Sequence, residues 1–233
     1  EGGYLMQENF PISADQSNWE HKAGPTPTPD QLSDGLIAWI ACGHLKSNSI
    51  SIVDDGMLIG GGMANTLLKA QGIEVGDSLV EDAALDTARI LVEKVGGKLV
   101  LPTDVVIADR FAADAVSRTI EVCEGVPSGW RILDIGPATA DRFALHVQNS
   151  KTVVWNGPMG VFEFPTFAAG TNALARMVAR SANISIVGGG DSAAAIRKSG
   201  LAGEITHIST GGGASLELLE GKLLPGVAAL DDL

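Results

Sequence analysis

The sequence predicts an α/β fold of Rossmann-like type, a three-layer α/β/α arrangement with a mostly parallel sheet. Two observations carry this. From Met57 onward, short apolar runs alternate with segments whose apolar residues recur at helical spacing. Glycine triplets at 60–62, 188–190 and 211–213 each follow a strand-like run and precede a helix-like one. Strand-to-helix alternation through short connections implies right-handed crossovers and parallel strands. Ligands bind such sheets outside the carboxyl ends of the strands, so the three glycine turns should gather along one edge.

The elements follow in order. MLIGGG is a strand entering glycines, and the next residues place Met63, Leu67 and Leu68 on one helical face. Residues 80–95 form an amphipathic helix with Ala84, Ala88, Leu91 and Val95 inward, and Gly96 and Gly97 stop it. Strands at 98–101 and 105–108 flank Pro102. Strands are then expected at 131–134, 152–155, 184–187 and 205–208, and helices at 139–148, 171–180, 192–199 and 214–220. Residues 1–55 differ: GPTPTPD at 24–30 alternates prolines, which donate no N–H and fix φ, so it reads as extended linker. Residues 36–40 suit a strand or a short helix, and the first 55 residues read as a divergent or irregular segment.

The chain has 233 residues, 45% of them hydrophobic, and a formal net charge of -12. That length can bury one substantial core. The acidic balance argues against nucleic acid and anionic membranes as partners. An anionic nucleotide would need local positive potential from helix N-termini, exposed N–H groups or a bound cation. Cys42 and Cys123 make no disulfide framework and read as reduced, buried thiols. The apolar run at 36–42 is too short to span a bilayer, and no basic-then-apolar pattern opens the chain. A soluble cytoplasmic protein is the expectation. No histidine stands in zinc-ligand spacing, and His207 within a strand pattern reads as a packing residue.

Three segments could carry chemistry. In SIVGGGDSAA, a strand runs into glycines, and Asp191 and Ser192 open a helix whose free N–H groups suit phosphate. Asp191 could be an N-cap, which the segment alone favours, or could hold a divalent cation against phosphates. In VVWNGPMGVFEF, Asn156, Gly157 and Pro158 make a turn. Val161 and Phe162 could wall a base, and Glu163 could accept from ribose hydroxyls or simply be solvated. In HISTGGGASLELL, Gly211, Gly212 and Gly213 lead into another helix start, for a ligand or for close packing. A dinucleotide-dependent oxidoreductase would share such a sheet, but no acidic residue follows a GxGxxG at the required distance.

Taken together, LIGGGMANT, GDSLVED, LPTDVVIAD, ILDIGPAT, VVWNGPMGVFEF, GTNALA, SIVGGGDSAAAI and HISTGGGASLELLEGKLLPGVAAL resemble the carboxyl-terminal nucleotide-binding domain of phosphoglycerate kinase, in family order. The resemblance covers residues 57–230 and sets the expected domain at 56–233. It implies ADP or ATP as substrate with Mg²⁺. Gly61, Gly62, Leu79, Pro158 and Val161 would border the adenine, Asn156 would lie near the nucleotide, and Glu163 would bind the ribose. Gly189, Gly190, Asp191 and Ser192 would hold the phosphates, with Asp191 at the metal. Gly190, Gly212 and Gly213 would face the transferred phosphoryl group.

Residues 1–55 show no such likeness. Where the family has GGxKVSDK, with lysines for the phosphates, this chain reads ACGHLKSNSISIVDD, and Lys46 does not match. 3-Phosphoglycerate is therefore expected as a partner only if an amino-terminal domain is supplied. The chain alone is expected to be inactive, with a non-catalytic nucleotide-binding remnant of a truncated gene as the alternative. A gap in the sheet ahead of LIGGG is also expected, leaving unpaired strand groups and a marginally stable chain.

Overall fold

In the computed structural model, residues 49–52 and 56–209 are described. The linker at 24–30, Cys42, Lys46, the glycines at 211–213 and the helix expected at 214–220 lie outside them. The chain builds a three-layer α/β fold around a six-stranded sheet. Its strands are β1 (Ser49–Ile52), β2 (Gly56–Leu58), β3 (Leu99–Val100), β7 (Thr152–Asn156), β8 (Ile184–Gly188) and β9 (His207–Ser209), in the order β3-β2-β1-β7-β8-β9. β2 pairs parallel with β3, β7 with β8, and β8 with β9.

β1 departs from the expected gap. It lies between β2 and β7 and pairs antiparallel with both, Ile50 opposite Leu58 on one side and Trp155 on the other. The sheet is continuous there. A three-residue connection to β2 permits only a hairpin-like return, which is why the pairing reverses.

A second departure is a separate three-stranded antiparallel sheet, β5-β4-β6, made by β4 (Asp104–Ala108), β5 (Ser117–Glu121) and β6 (Arg131–Ile135). Sequence reasoning identified two of its strands as parts of the alternation and missed β5. β5 buries one residue of five, Ile120, so it carries almost no apolar signal.

Among the described residues the α-helices are α1 (Gly61–Ala70), α2 (Leu85–Val95), α3 (Pro137–Asn149), α4 (Ala169–Arg180) and α5 (Gly190–Ser199). The helix expected over 80–95 begins instead with a 3-10 turn at Asp82–Ala84, and Ala84, Ala88 and Leu91 are buried as expected. Alternation along β2 separates two cores. Met57 and Ile59 pack with Met63, Ala64, Leu67, Ala88 and Leu91 of α1 and α2. Leu58 joins Trp155, Phe143, Leu174 and Ile196, the side built by α3, α4 and α5. Cys123 is exposed rather than buried, because the turn at Val122–Glu124 leaves the antiparallel sheet at its edge. His207 is likewise exposed on β9, not packed.

Buried polar side chains join the layers. Asp104, 3% exposed, accepts from Thr139 N–H at 2.7 Å and Ala138 N–H at 3.1 Å, so a strand carboxylate caps α3 from outside its sequence. Thr139 Oγ1 returns the contact, accepting from Thr103 N–H and Asp104 N–H at 3.0 Å each. A Cβ at Gly136 would run into the Asp104 carboxylate. Gly136→Ala is therefore expected to cost about 1–3 kcal/mol or more, since overpacking here displaces a buried, fully bonded group. Denaturant unfolding measures it, and an unchanged midpoint would contradict the packing described.

Candidate functional site

At the carboxyl edge of the sheet lies a cavity of about 430 Å³. Its walls are Gly61, Gly62 and Leu79 on one side, Pro158, Met159, Gly160, Val161 and Glu163 on another, and residues 131–134 below, with Asp191 at one end. The glycine turns expected at one edge thus meet, as far as they are described.

The local sequence explains each wall. Gly61 has φ +59, which glycine adopts without strain, and its N–H donates to Met159 O at 3.1 Å. A Cβ at Gly60 would strike the Met159 side-chain sulfur, so the Met159 side chain packs directly on the Gly60 backbone. Leu79 is 78% exposed, an apolar side chain at the mouth with no core to fill. Val161 N–H donates to Leu133 O at 2.8 Å, which folds the loop after β7 across the end of β6.

Two helix starts flank the cavity without side-chain caps. The N-cap of α1 is Gly60, and that of α5 is Gly189 at φ +95; neither makes a side-chain capping bond. Gly190 has open space around it. By contrast, α3 is capped by Asp104, and the first turn of α4 by Asp134. Gly61 N–H is taken by Met159 O, but among the described residues no side chain caps the first turn of α1 or of α5. Asp191, in the first turn of α5, is exposed and makes no side-chain capping bond, which removes the N-cap reading that its segment alone favoured. The reason is register: the cap position falls on Gly189, not on Asp191.

Ser192 and Asn156 sit behind the cavity rather than in its lining. Ser192 is fully buried, and its hydroxyl accepts from Gly157 N–H at 2.6 Å, tying α5 to the turn after β7. Asn156 Oδ1 stands against Gly189. Glu163 is exposed on the rim. Gly212 and Gly213 lie outside the described residues.

Sequence reasoning missed Asn65, Asp77, Phe111, Arg131 and Asp134 as lining groups. Asp134 had one signal, a carboxylate inside the apolar run RILDI. Arg131 is the only cation among the described residues of the lining; it faces Asp77 at 3.7 Å, and its Nε is buried without a partner. The lining also holds Asp77, Asp134, Glu163 and Asp191.

Burial pushes the Asp134 carboxyl up to about 7 from 3.8, against the backbone N–H groups of Gly170, Ile135 and Ala169, which lower it. The folded state therefore holds a proton that the unfolded chain has released. Stability from this group is fully present below the unfolded value and is lost as pH rises through the folded one. The melting temperature of the wild type, relative to Asp134→Asn, is expected to fall between about pH 4 and about pH 7, the interval between the unfolded and folded values. A difference independent of pH would contradict the shift.

No three His, Cys, Asp or Glu side chains converge on a metal position among the described residues. A cation here would have to be held by one carboxylate and the ligand's own oxygens. That is the habit of Mg²⁺, and the exposed Asp191 beside an uncapped helix start fits it.

Fold and cavity together define a Rossmann-like α/β protein with a cleft at the carboxyl edge of its sheet. A family model described as phosphoglycerate kinase matches residues 45–222, and the chain belongs to that family. A second model, described as AICARFT/IMPCHase bienzyme, matches residues 1–66. The phosphoglycerate kinase of Roseiflexus sp. is 58% identical over 239 aligned residues, covering 99% of this chain and 57% of that protein. That of Chloroflexus aurantiacus is 56% identical over 184 residues, covering 76% of this chain and 46% of its own length. The solved phosphoglycerate kinase of Coxiella burnetii superposes with a TM-score of 0.72 at 41% identity, over 83% of this chain and 49% of that one. The chain spans about half the length of the curated relatives it matches. The family likeness also reaches further forward than the motifs suggested: the model begins at residue 45, and the Roseiflexus alignment takes in nearly the whole chain. Isolated motifs could not show this, because residues 1–55 hold none of the glycine signatures on which the resemblance rested.

Proposed function

We propose that this chain is the Mg-ADP/ATP-binding half of a phosphoglycerate kinase, the enzyme class that exchanges a phosphoryl group between ATP and 3-phosphoglycerate to give ADP and 1,3-bisphosphoglycerate in glycolysis. The observation that supports it most is the cavity between two uncapped helix starts, with Asp191 at its end. Gly61, Gly62, Leu79, Pro158 and Val161 hold the base against apolar surface. Glu163 accepts from the ribose hydroxyls on the rim. The N–H groups at Gly189, Gly190 and Asp191 receive phosphate oxygens, and Asn156 and Ser192 hold that turn in place. Mg²⁺, when bound, supplies charge neutralisation among the phosphate oxygens, and Asp191 is the residue that would hold it. With an acidic lining, a free polyphosphate is repelled, so binding should require the metal. The working compartment under this reading is the cytoplasm.

Calorimetry with ADP in the presence and absence of Mg²⁺ tests this. Heat and a thermal shift with Mg-ADP, and much weaker binding without the metal, are expected. No heat and no shift at roughly millimolar ADP, a weak affinity worth only about 4 kcal/mol, would overturn the reading. Glu163→Ala is expected to weaken nucleoside binding about tenfold, by removing a charged acceptor. An unchanged affinity would return Glu163 to a solvated rim residue.

A further inference from the structure

Several backbone segments meet on two buried side chains, Asp134 in the cavity wall and Thr171 behind it. Asp134, 1% exposed at the carboxyl end of β6, accepts Gly170 N–H on Oδ2 at 2.8 Å and Ile135 N–H on Oδ1 at 2.9 Å. Thr171, next along α4 and fully buried, accepts Met159 N–H at 3.0 Å and Gly160 N–H at 3.3 Å on its hydroxyl. Met159 O in turn accepts Gly61 N–H at 3.1 Å. Gly160 and Gly170 lie so close to Asp134 that a Cβ at either would run into its carboxylate. Hydrogen bonds joined by short stretches of backbone thus run from Asp134, through Gly170 and Thr171 in the first turn of α4, to both glycine-bearing walls of the cavity.

We propose that Asp134 and Thr171 are positioning residues for the nucleotide: through the backbone, they set the spacing between the Gly61–Gly62 wall and the wall at 158–161. This rests on the nucleotide reading above. Neither side chain need touch the ligand. The geometry is exacting, because buried N–H groups left without acceptors are costly and only the short, buried side chains of Asp134 and Thr171 intervene. The chemistry points the same way. An apolar residue would fill the Asp134 site without the desolvation that pushes its carboxyl up to about 7. The carboxyl both caps α4 and bears that desolvation in the cavity wall, and strongly perturbed groups cluster at functional sites.

The test uses the whole 233-residue chain. Mg-ADP affinity and melting temperature are measured for the wild type, Asp134→Asn, Thr171→Val, the double variant and Thr171→Ser. Asp134→Asn and Thr171→Val are each expected to weaken binding about tenfold, or about 1.4 kcal/mol. The double variant should bind no more weakly than the worse single, because both break one relay. Thr171→Ser keeps the hydroxyl and should keep wild-type affinity while losing some thermal stability. A merely structural role would lower melting temperatures and leave affinity alone; that result overturns the proposal, as do losses that multiply in the double variant. If Asp134→Asn does not fold, the comparison of Val with Ser at 171 decides by itself. A wild type that fails to bind Mg-ADP would remove the nucleotide reading and this proposal with it, an outcome distinct from variants that bind as the wild type does.

Discussion

Purified as these 233 residues, the protein is expected to bind Mg-ADP yet give no phosphoglycerate kinase turnover above background. Phosphoryl transfer depends on positioning and on cationic stabilisation of charge spread over the transferred group. The described lining of the cavity offers one guanidinium, Arg131, and it already faces Asp77. Where the family pattern carries its phosphate lysines, this chain reads ACGHLKSNSISIVDD. A single cationic finger is worth roughly 10³–10⁵ in rate, and such losses need not add for one of them to suppress a routine signal. Closure of a second body over the cavity would also be needed to exclude water. A coupled assay in the ATP-forming direction, with protein from a host lacking its own enzyme, measures this. Turnover that Asp191→Ala abolishes would overturn the expectation. Turnover appearing only when a separate amino-terminal domain is added would support a split enzyme.

Asp191→Ala is expected to remove the Mg²⁺ dependence of ADP binding, with affinity in the presence of the metal falling about 10–100-fold. Losses of that size already follow removal of groups that merely orient metal ligands, so a direct ligand should cost at least as much. The structure separates this from a stability effect. Asp191 is exposed and caps nothing, so the variant should melt within about 0.5 kcal/mol of the wild type. Had it been the N-cap, a loss of about 0.5–2 kcal/mol with an intact metal response would follow. Titration of ADP against Mg²⁺, beside a thermal melt, distinguishes the two.

Much of the fold was legible because its signals are local. Apolar runs ending in glycine marked β2, β7 and β8, and helical spacing marked α1, α4 and α5 to within a few residues. Val161 was legible as a possible wall from its own segment, whereas Leu79 and Pro158 were legible as cavity residues only through the family resemblance. β5 and the antiparallel sheet were not legible, because an edge strand with one buried residue has no periodic pattern to read. His207 and Cys123 were read as packed and are exposed, since residue type predicts burial only on average.

The sequence by itself determined the α/β class, the glycine turns at strand ends and the family. Each rests on spacing along the chain, where periodicity and turn chemistry act within a few residues. Only the tertiary structure decided which helix starts are free. Asp104 caps α3 from 35 residues away and Asp134 caps α4 from 36, while Gly189 leaves α5 open beside Asp191. Long-range contacts also pair β1 with β7 and set Thr171 beneath Met159. Hydrogen bonds between segments so far apart follow from how the layers stack, and stacking is a property of the whole core rather than of any short stretch of chain.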